Sequence, residues 1–213
     1  MPAYFTILRP SNAIMSAIAV YVGAVVAGAA FVPQMSTLIG MLVVFLISGG
    51  GMVVNDIKDA EIDKINKPKR PIPSGKISKK AAGIYAVLMF VVGNFLAFYY
   101  LNELALYVSV FASLLLIAYA VLLKRVIMVG HISVSLLVAL TFIYGGVIVG
   151  DYSKLFVLAG LTFLANMGRE IYKTIDDVMG DKSQNVRTLA LKYGVLKTKI
   201  IAHIFVIAAV IIS

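Results

Sequence analysis

Residues 37–63 read TLIGMLVVFLISGGGMVVNDIKDAEID, an uncharged apolar run that ends abruptly in a cluster of acids. The run from Thr37 to Val54 is close in length to the ~20 residues that carry a helix across the hydrocarbon core of a bilayer. Its glycines would let neighbouring helices approach closely in lipid. This stretch therefore predicts a membrane-spanning helix with a charged end.

The rest of the chain repeats the apolar pattern. Of the 213 residues, 61% are hydrophobic and 14% are charged, with a mean hydropathy of +0.98, whereas soluble domains carry about 25% charged residues. This composition predicts an all-α, polytopic transmembrane helical bundle. We expect seven spans, at Asn12–Ala30, Thr37–Val54, Ala81–Tyr99, Leu104–Leu122, Ile132–Val149, Leu155–Ile171 and Leu189–Ser213.

Basic residues fall almost entirely on one side of this arrangement. Eighteen of the nineteen Lys and Arg lie at the N-terminus or in the connections after the second, fourth and sixth spans, whereas Lys154 lies on the opposite side. Short loops rich in Lys and Arg stay in the cytoplasm. We therefore expect a multi-pass protein of the cell membrane with its charged connections in the cytoplasm. The net charge of +9 then reflects membrane topology and not nucleic-acid binding.

The acidic residues carry the functional signal, because charge at the end of a membrane helix is expensive to keep there. Eight of the ten Asp and Glu lie in two cytoplasmic clusters, at 56–63 and 170–181. Asp56, Asp59 and Asp63 stand at i, i+3 and i+7, so a continuing helix would place all three on one face. Like charges so placed repel each other unless a cation lies among them.

The second cluster repeats this spacing 118 residues further on, at Thr174, Asp177 and Asp181. The chain therefore looks like two related halves. Thr174 stands in the position of a third carboxylate, so the second ladder keeps two carboxylates unless Asp176 or Glu170 turns inward. Two facing carboxylate ladders suit Mg²⁺, a hard ion that takes oxygen ligands and is completed by substrate phosphate and water.

Cationic side chains near these acids could bind the phosphate oxygens themselves. The candidates are Lys67, Arg70, Lys124, Arg169, Lys173 and Arg187. A site with metal and arginine at a water–membrane boundary, beneath apolar helices, favours a ligand with a polyphosphate head and an apolar tail. Isoprenyl diphosphates fit that description.

Other interpretations fit the sequence less well. A solvated helix end balanced by lysines would explain one acidic cluster, but two clusters with matched spacing make it a poor explanation. A transporter would carry its ionisable groups near the bilayer midplane, where these spans have almost none. A CDP-alcohol phosphotransferase would need a DGxxAR element, which the sequence lacks. The absence of cysteine leaves no thiolate ligands for zinc.

The acidic segments and their flanks resemble a known family. Residues 55–63 (NDIKDAEID) and 67–75 (KPKRPIPSG) resemble the first signature of the UbiA-type intramembrane prenyltransferases. Residues 169–181, with RTL shortly behind them, are similar to the second signature. Residues 8–12 (LRPSN) are similar to the start of the family's first helix, and residues 119–125 to its central loop.

Within this superfamily, the stretch DKINKPKRPIPSG at 63–75 is most similar to the archaeal digeranylgeranylglyceryl phosphate synthases. That resemblance implies transfer of a geranylgeranyl group from its diphosphate to geranylgeranylglyceryl phosphate, a step of archaeal ether-lipid and phospholipid biosynthesis. An aromatic acceptor, as in quinone synthesis, is the alternative. Family members have nine spans around a central cavity, so we expect one domain, residues 1–213, that lacks the last two helices.

The resemblance also implies roles for individual residues. Mg²⁺ would bridge the donor diphosphate to catalytic, metal-binding acids, namely Asp56, Asp59, Asp63, Asp177 and Asp181. Substrate binding would fall to Asn12, Asn55, Lys67, Arg70, Lys124, Arg169, Lys173 and Arg9. Among these, the acceptor phosphate would be met by Arg9, Arg169 or Lys173. The ring of Tyr119 or Tyr172 would stabilise an allylic carbocation, which the acceptor hydroxyl attacks.

Overall fold

The computed structural model describes residues 3–176 and 189–213, and both segments are built from helices and their connections. The helices are α1 (Ala3–Ile7), α2 (Pro10–Val26), α3 (Met35–Lys58), α4 (Ala60–Asn66), α5 (Lys79–Tyr100), α6 (Glu103–Val121), α7 (Val129–Val149), α8 (Leu155–Asp176), α9 (Leu189–Tyr193) and α10 (Val195–Ile212). A short 3-10 helix, Leu123–Arg125, connects α6 to α7.

The long helices lie where the apolar runs predict spans. Five of them, α3, α5, α6, α7 and α10, are long and apolar enough to cross a membrane. Helix α2 is apolar but has 17 residues, and α8 ends in charged residues. The prediction of an all-helical membrane protein is confirmed, whereas the count of seven spans stays a prediction.

Two stretches that the sequence predicts as single helices are each divided into two helices in the structure. The last one, Leu189–Ser213, is divided at Gly194, whose φ of 83° lies in the left-handed region that ends helices and that glycine adopts at little cost. The acidic stretch is also divided, because α3 ends at Lys58 and α4 begins at Ala60. Asp59, with φ −88° and ψ 0°, lies between them. The three acids of the first cluster therefore do not share one uninterrupted helix.

Helix α3 occupies the centre of the bundle, in contact with α2, α5, α6 and α7. Its side chains Val43, Ile47 and Val53 belong to the main core. A second, smaller core joins α8, α9 and α10 around Met167 and Ile171. Large apolar side chains of α5, such as Leu88 and Phe95, are exposed on the outside of the bundle, as expected for a helix that crosses a membrane. This packing places the acidic cluster of residues 56–63 at the end of the most enclosed helix.

Helices α2 and α7 cross at very short range because both carry glycine at the crossing. A Cβ atom added to Gly145 would overlap the carbonyl oxygen of Val20, and one added to Gly23 would overlap that of Phe142. Close backbone approach through small residues is how helices associate in lipid, where the hydrophobic effect does not drive them together. The crossing fixes α2, whose first turn follows Arg9, against the bundle.

Candidate active site

Asp56 and Asp63 lie together at the end of the central helix, joined by Arg70. The Arg70 Nη1 atom lies 3.3 Å from Asp56 Oδ1 and 2.5 Å from Asp63 Oδ2. The two carboxylate side chains are only 3% and 6% exposed. Buried charges of this kind are tolerated when they are paired. The predicted proximity of these two acids is therefore present, and one guanidinium bridges them.

Arg9 approaches the same group from the turn between α1 and α2. Its Nη2 atom donates to Asp56 Oδ1. The backbone of Arg9 has φ 48° and ψ 66°, a left-handed conformation that costs a non-glycine residue about 1–3 kcal/mol. Because Pro10 begins α2 immediately afterwards, this turn directs the arginine towards α3. The ion pair with Asp56 helps to hold it there.

Asp59 has a different cationic partner. Lys124, in the 3-10 helix after α6, contacts Asp59 Oδ2 through its ammonium group. Both side chains are partly exposed, Asp59 at 24% and Lys124 at 38%. Tyr119 lies on the last turn of α6, half-buried, within electrostatic range of Asp59 and Glu170. The end of α6 thus brings a cation and an aromatic ring to the first acidic cluster.

Two polar side chains near the described end of α8, Glu170 and Thr174, are more buried than a charged helix end suggests. Glu170 is largely buried, with 12% of its side chain exposed, and pairs with Lys173 at 2.9 Å. Thr174 is buried, and its hydroxyl donates to the carbonyl oxygen of Ile171, 2.7 Å away. Glu170 therefore turns inward, whereas the Thr174 hydroxyl is hydrogen-bonded to the backbone of its own helix. Arg169 is exposed.

Several other predicted residues lie elsewhere or beyond the described segments. The Tyr172 hydroxyl lies 2.9 Å from Nε2 of His203 on α10, so this tyrosine packs against a neighbouring helix and Tyr119 is the ring beside the acids. Asn12 is exposed on the first turn of α2. The predicted ligands and phosphate contact that fall outside the described residues are Asp177, Asp181 and Arg187.

A cavity of about 510 Å³ opens beside Asp56. It is lined by Thr6, Arg9, Asp56, Asn66, Lys67, Pro68, Lys69, Arg70 and Pro71. Lys67 and Lys69 are exposed, and across residues 3–176 and 189–213 neither forms an ion pair with a carboxylate. Four cationic side chains against one acid make this cavity suitable for an anion.

Sequence reasoning missed three of the polar lining residues, Thr6, Asn66 and Lys69. Lys69 carried a signal, since it lies inside the KPKRP stretch at 67–71 between two residues that were singled out. Thr6 carried none, because α1 reaches the cavity through tertiary packing against α3.

The oxygen donors around Asp56 suit a hard cation. Among residues 3–176 and 189–213, the buried Asn55 Oδ1 atom has no hydrogen-bond partner, and carboxylate and amide oxygens are the ligands that Mg²⁺ accepts. Within the described part of the chain, however, no three His, Cys, Asp or Glu side chains are placed to hold a metal ion. Each aspartate of the first cluster instead contacts a Lys or Arg side chain. These oxygen atoms are of the chemical type that Mg²⁺ binds, and in the structure the carboxylates contact side-chain cations.

The sequence and fold of the chain can be compared with those of known proteins. Digeranylgeranylglyceryl phosphate synthase from Methanothermobacter thermautotrophicus is 39% identical over 213 residues, which are 100% of this chain and 74% of the relative. A solved structure of digeranylgeranylglyceryl phosphate synthase is 34% identical, with a TM-score of 0.87 over 99% of this chain and 75% of that chain.

A more distant solved structure has the same fold. It is a UbiA homolog from Archaeoglobus fulgidus bound to GPP and Mg²⁺, 18% identical, with a TM-score of 0.83 over 99% of this chain and 76% of that chain. The model of the UbiA prenyltransferase family matches residues 16–213. The chain therefore belongs to the UbiA prenyltransferase family.

Proposed function

We propose that this protein transfers a geranylgeranyl group from geranylgeranyl diphosphate to geranylgeranylglyceryl phosphate. The observation that carries this proposal is the cationic cavity beside Asp56, where Arg70 bridges two buried carboxylates and the exposed Lys67 pairs with no acid of the described residues. The relative from Methanothermobacter, 39% identical over the whole chain, bears the name of an enzyme with this product.

The metal would be held by oxygen ligands from both acidic clusters. We assign Asp56, Asp59, Asp63, Asp177 and Asp181 as its ligands. The buried Asn55 Oδ1 atom, which has no hydrogen-bond partner among the described residues, supports Asn55 as a further, neutral oxygen ligand. Mg²⁺, when bound, neutralises negative charge on the departing pyrophosphate and orients it.

The cationic side chains would stabilise the same leaving group. Lys67 and Arg70 line the cavity, Lys124 reaches the first cluster through Asp59, and Lys173 lies on the exposed end of α8. Fixed cations placed where charge develops usually supply the largest part of enzymatic rate enhancement. For the acceptor phosphate the candidate is Arg169, because Arg9 contacts Asp56 and is placed with the donor diphosphate. Asn12, on the first turn of α2, is a further candidate for substrate binding.

The transfer does not require a strong base, because the acceptor hydroxyl attacks a reactive carbocation. Cleavage of the allylic C–O bond releases pyrophosphate and leaves a delocalised carbocation, which the ring face of Tyr119 stabilises. The acceptor hydroxyl attacks this cation and passes its proton to the released pyrophosphate as the ether bond forms. The apolar helices hold the prenyl chain and exclude water, which would otherwise capture the cation.

The proposed reaction takes place on the cytoplasmic side of the cell membrane. The acids of the first cluster lie at the end of α3 that leads into the lysine-rich connection at 64–80. Because such connections stay in the cytoplasm, donor and acceptor would approach from that side with their tails in the bilayer.

Purified protein in lipid nanodiscs tests this proposal with labelled geranylgeranyl diphosphate, Mg²⁺ and a panel of acceptors. We expect labelled prenyl-ether lipid with geranylgeranylglyceryl phosphate and no product with 4-hydroxybenzoate. Prenylation of the aromatic acid, without reaction of the glycerol phosphate, would refute the assigned acceptor.

A further inference from the structure

We infer that Arg9, Arg70 and Lys124 are resident counter-ions of the first acidic cluster, which make metal and diphosphate bind as a pair. In this arrangement the cluster disfavours free metal and accepts it together with an anion that receives the displaced side chains. The inference rests on the proposed function, and it concerns the order and coupling of ligand binding rather than the reaction itself.

The three cations come from three separate parts of the fold. Arg9 precedes α2, Arg70 follows α4, and Lys124 follows α6, yet each contacts a carboxylate oxygen of the first cluster. Every aspartate in this cluster is thus neutralised by a residue distant from it in the chain or across a loop. The convergence of Arg9 and Lys124 on this cluster is a property of the fold, whereas Arg70 lies only 7 residues from Asp63.

The contacted atoms are the ones that a metal would need. Asp56 Oδ1 accepts from both Arg9 and Arg70, and Asp63 Oδ2 accepts from Arg70. A divalent cation at these oxygens would repel the guanidinium groups and leave them without a partner. Arg9 and Arg70 are 32% and 20% exposed, so water would compensate only part of the loss of their almost fully buried partners. Metal alone should therefore bind weakly.

A diphosphate would strengthen the binding of the metal. Phosphate oxygens accept two parallel hydrogen bonds from one guanidinium as readily as a carboxylate does, so they can receive Arg9 and Arg70 when metal takes the aspartates. The exposed side chains of Lys67 and Lys69 border the same cavity and pair with no acid in the part of the chain that the structure describes. They would attract the anion before the metal binds. Each ligand then increases the affinity for the other, by linkage to the same extent.

The coupling can be measured with Mn²⁺ as the metal and inorganic pyrophosphate as the anion, on the full chain in nanodiscs. Bound Mn²⁺ is determined by electron paramagnetic resonance with and without pyrophosphate, after correction for the complex that the two form in solution. We expect pyrophosphate to tighten Mn²⁺ binding by about 5- to 150-fold in the unmodified protein. In Arg70→Gln, Mn²⁺ alone should bind more tightly than before, and the enhancement should shrink.

Lys76→Gln is the matched control. Lys76 is an exposed residue of the same connection, and its replacement removes the same charge. It should change neither value. Arg9→Gln is the second test variant and should show the same direction as Arg70→Gln, so that a folding defect in one leaves the other informative.

Two failures are distinguishable. Equal Mn²⁺ affinity with and without pyrophosphate, or unchanged affinity for Mn²⁺ alone in both arginine variants, would overturn the counter-ion role and leave the proposed reaction untouched. Absence of Mn²⁺ binding by the unmodified protein, even with pyrophosphate, would refute the metal–diphosphate site on which the proposed function depends.

Discussion

Replacement of Arg70 by methionine tests the buried ion-pair cluster, because it removes the charge and keeps most of the apolar stem. Breaking a buried ion pair costs about 3–5 kcal/mol. Arg70 is 20% exposed, and Asp56 keeps Arg9 as a partner, so the lower end of this range applies. We therefore expect Arg70→Met to lower the free energy of unfolding by about 3 kcal/mol, mostly through Asp63.

A double-mutant cycle with Asp63→Asn separates this pair from general effects. Once Asp63 carries no charge, loss of Arg70 should matter less, and the double variant should be more stable than the two single effects predict by about 1–3 kcal/mol. Unfolding is followed by circular dichroism in mixed micelles of rising SDS fraction. The exposed pair Glu61–Lys64, with side chains 65% and 58% exposed, serves as the control cycle and should show no measurable coupling. Additive effects at Arg70 and Asp63 would refute the ion-pair account.

Three further substitutions address other parts of the molecule. Asp59→Ala should abolish prenyl transfer while the protein remains folded and inserted, and full turnover at saturating Mg²⁺ would contradict its role as a ligand. Tyr119→Phe should keep near-normal turnover, whereas Tyr119→Leu should be about 30-fold slower, since a desolvated cation–π contact contributes about 2 kcal/mol; equal rates would exclude the ring. Gly145→Ala should lower the thermal unfolding midpoint because its Cβ meets the α2 backbone. Gly160→Ala is the control and should not lower it, since the added atom has open space around it. Equal midpoints for the two variants would argue against the close crossing of α2 and α7.

The positions of the long helices follow from the sequence because apolar length is a local property of the chain. The run at 37–54 lies inside α3, and the run at 104–122 nearly coincides with α6. The break at Gly194 did not follow, since glycine is also common inside membrane helices and only its positive φ marks the division. The interruption at Asp59 is equally invisible in the i, i+3, i+7 pattern.

The acids of the candidate site could be identified from sequence, but their partners could not. Arg9 lies 47 residues from Asp56, and Lys124 lies 65 residues from Asp59, so these contacts depend on how α2 and α6 pack around α3. Sequence assigned both cations to phosphate groups. The structure instead places them on the aspartates, and Arg70, which is close in sequence, was the one whose proximity to the acids local spacing could anticipate.

The most direct test of the central claim is the metal dependence of transfer by the unmodified protein. Labelled geranylgeranyl diphosphate and geranylgeranylglyceryl phosphate are incubated with protein in nanodiscs, and the product lipid is quantified by mass spectrometry in Mg²⁺, in EDTA, and in EDTA followed by excess Mg²⁺. We predict ether-lipid product with Mg²⁺, none in EDTA, and recovery once Mg²⁺ is restored. Equal product formation in EDTA, or no product under any of the three conditions, would contradict a metal-assisted prenyl transfer at the Asp56–Asp63 cluster.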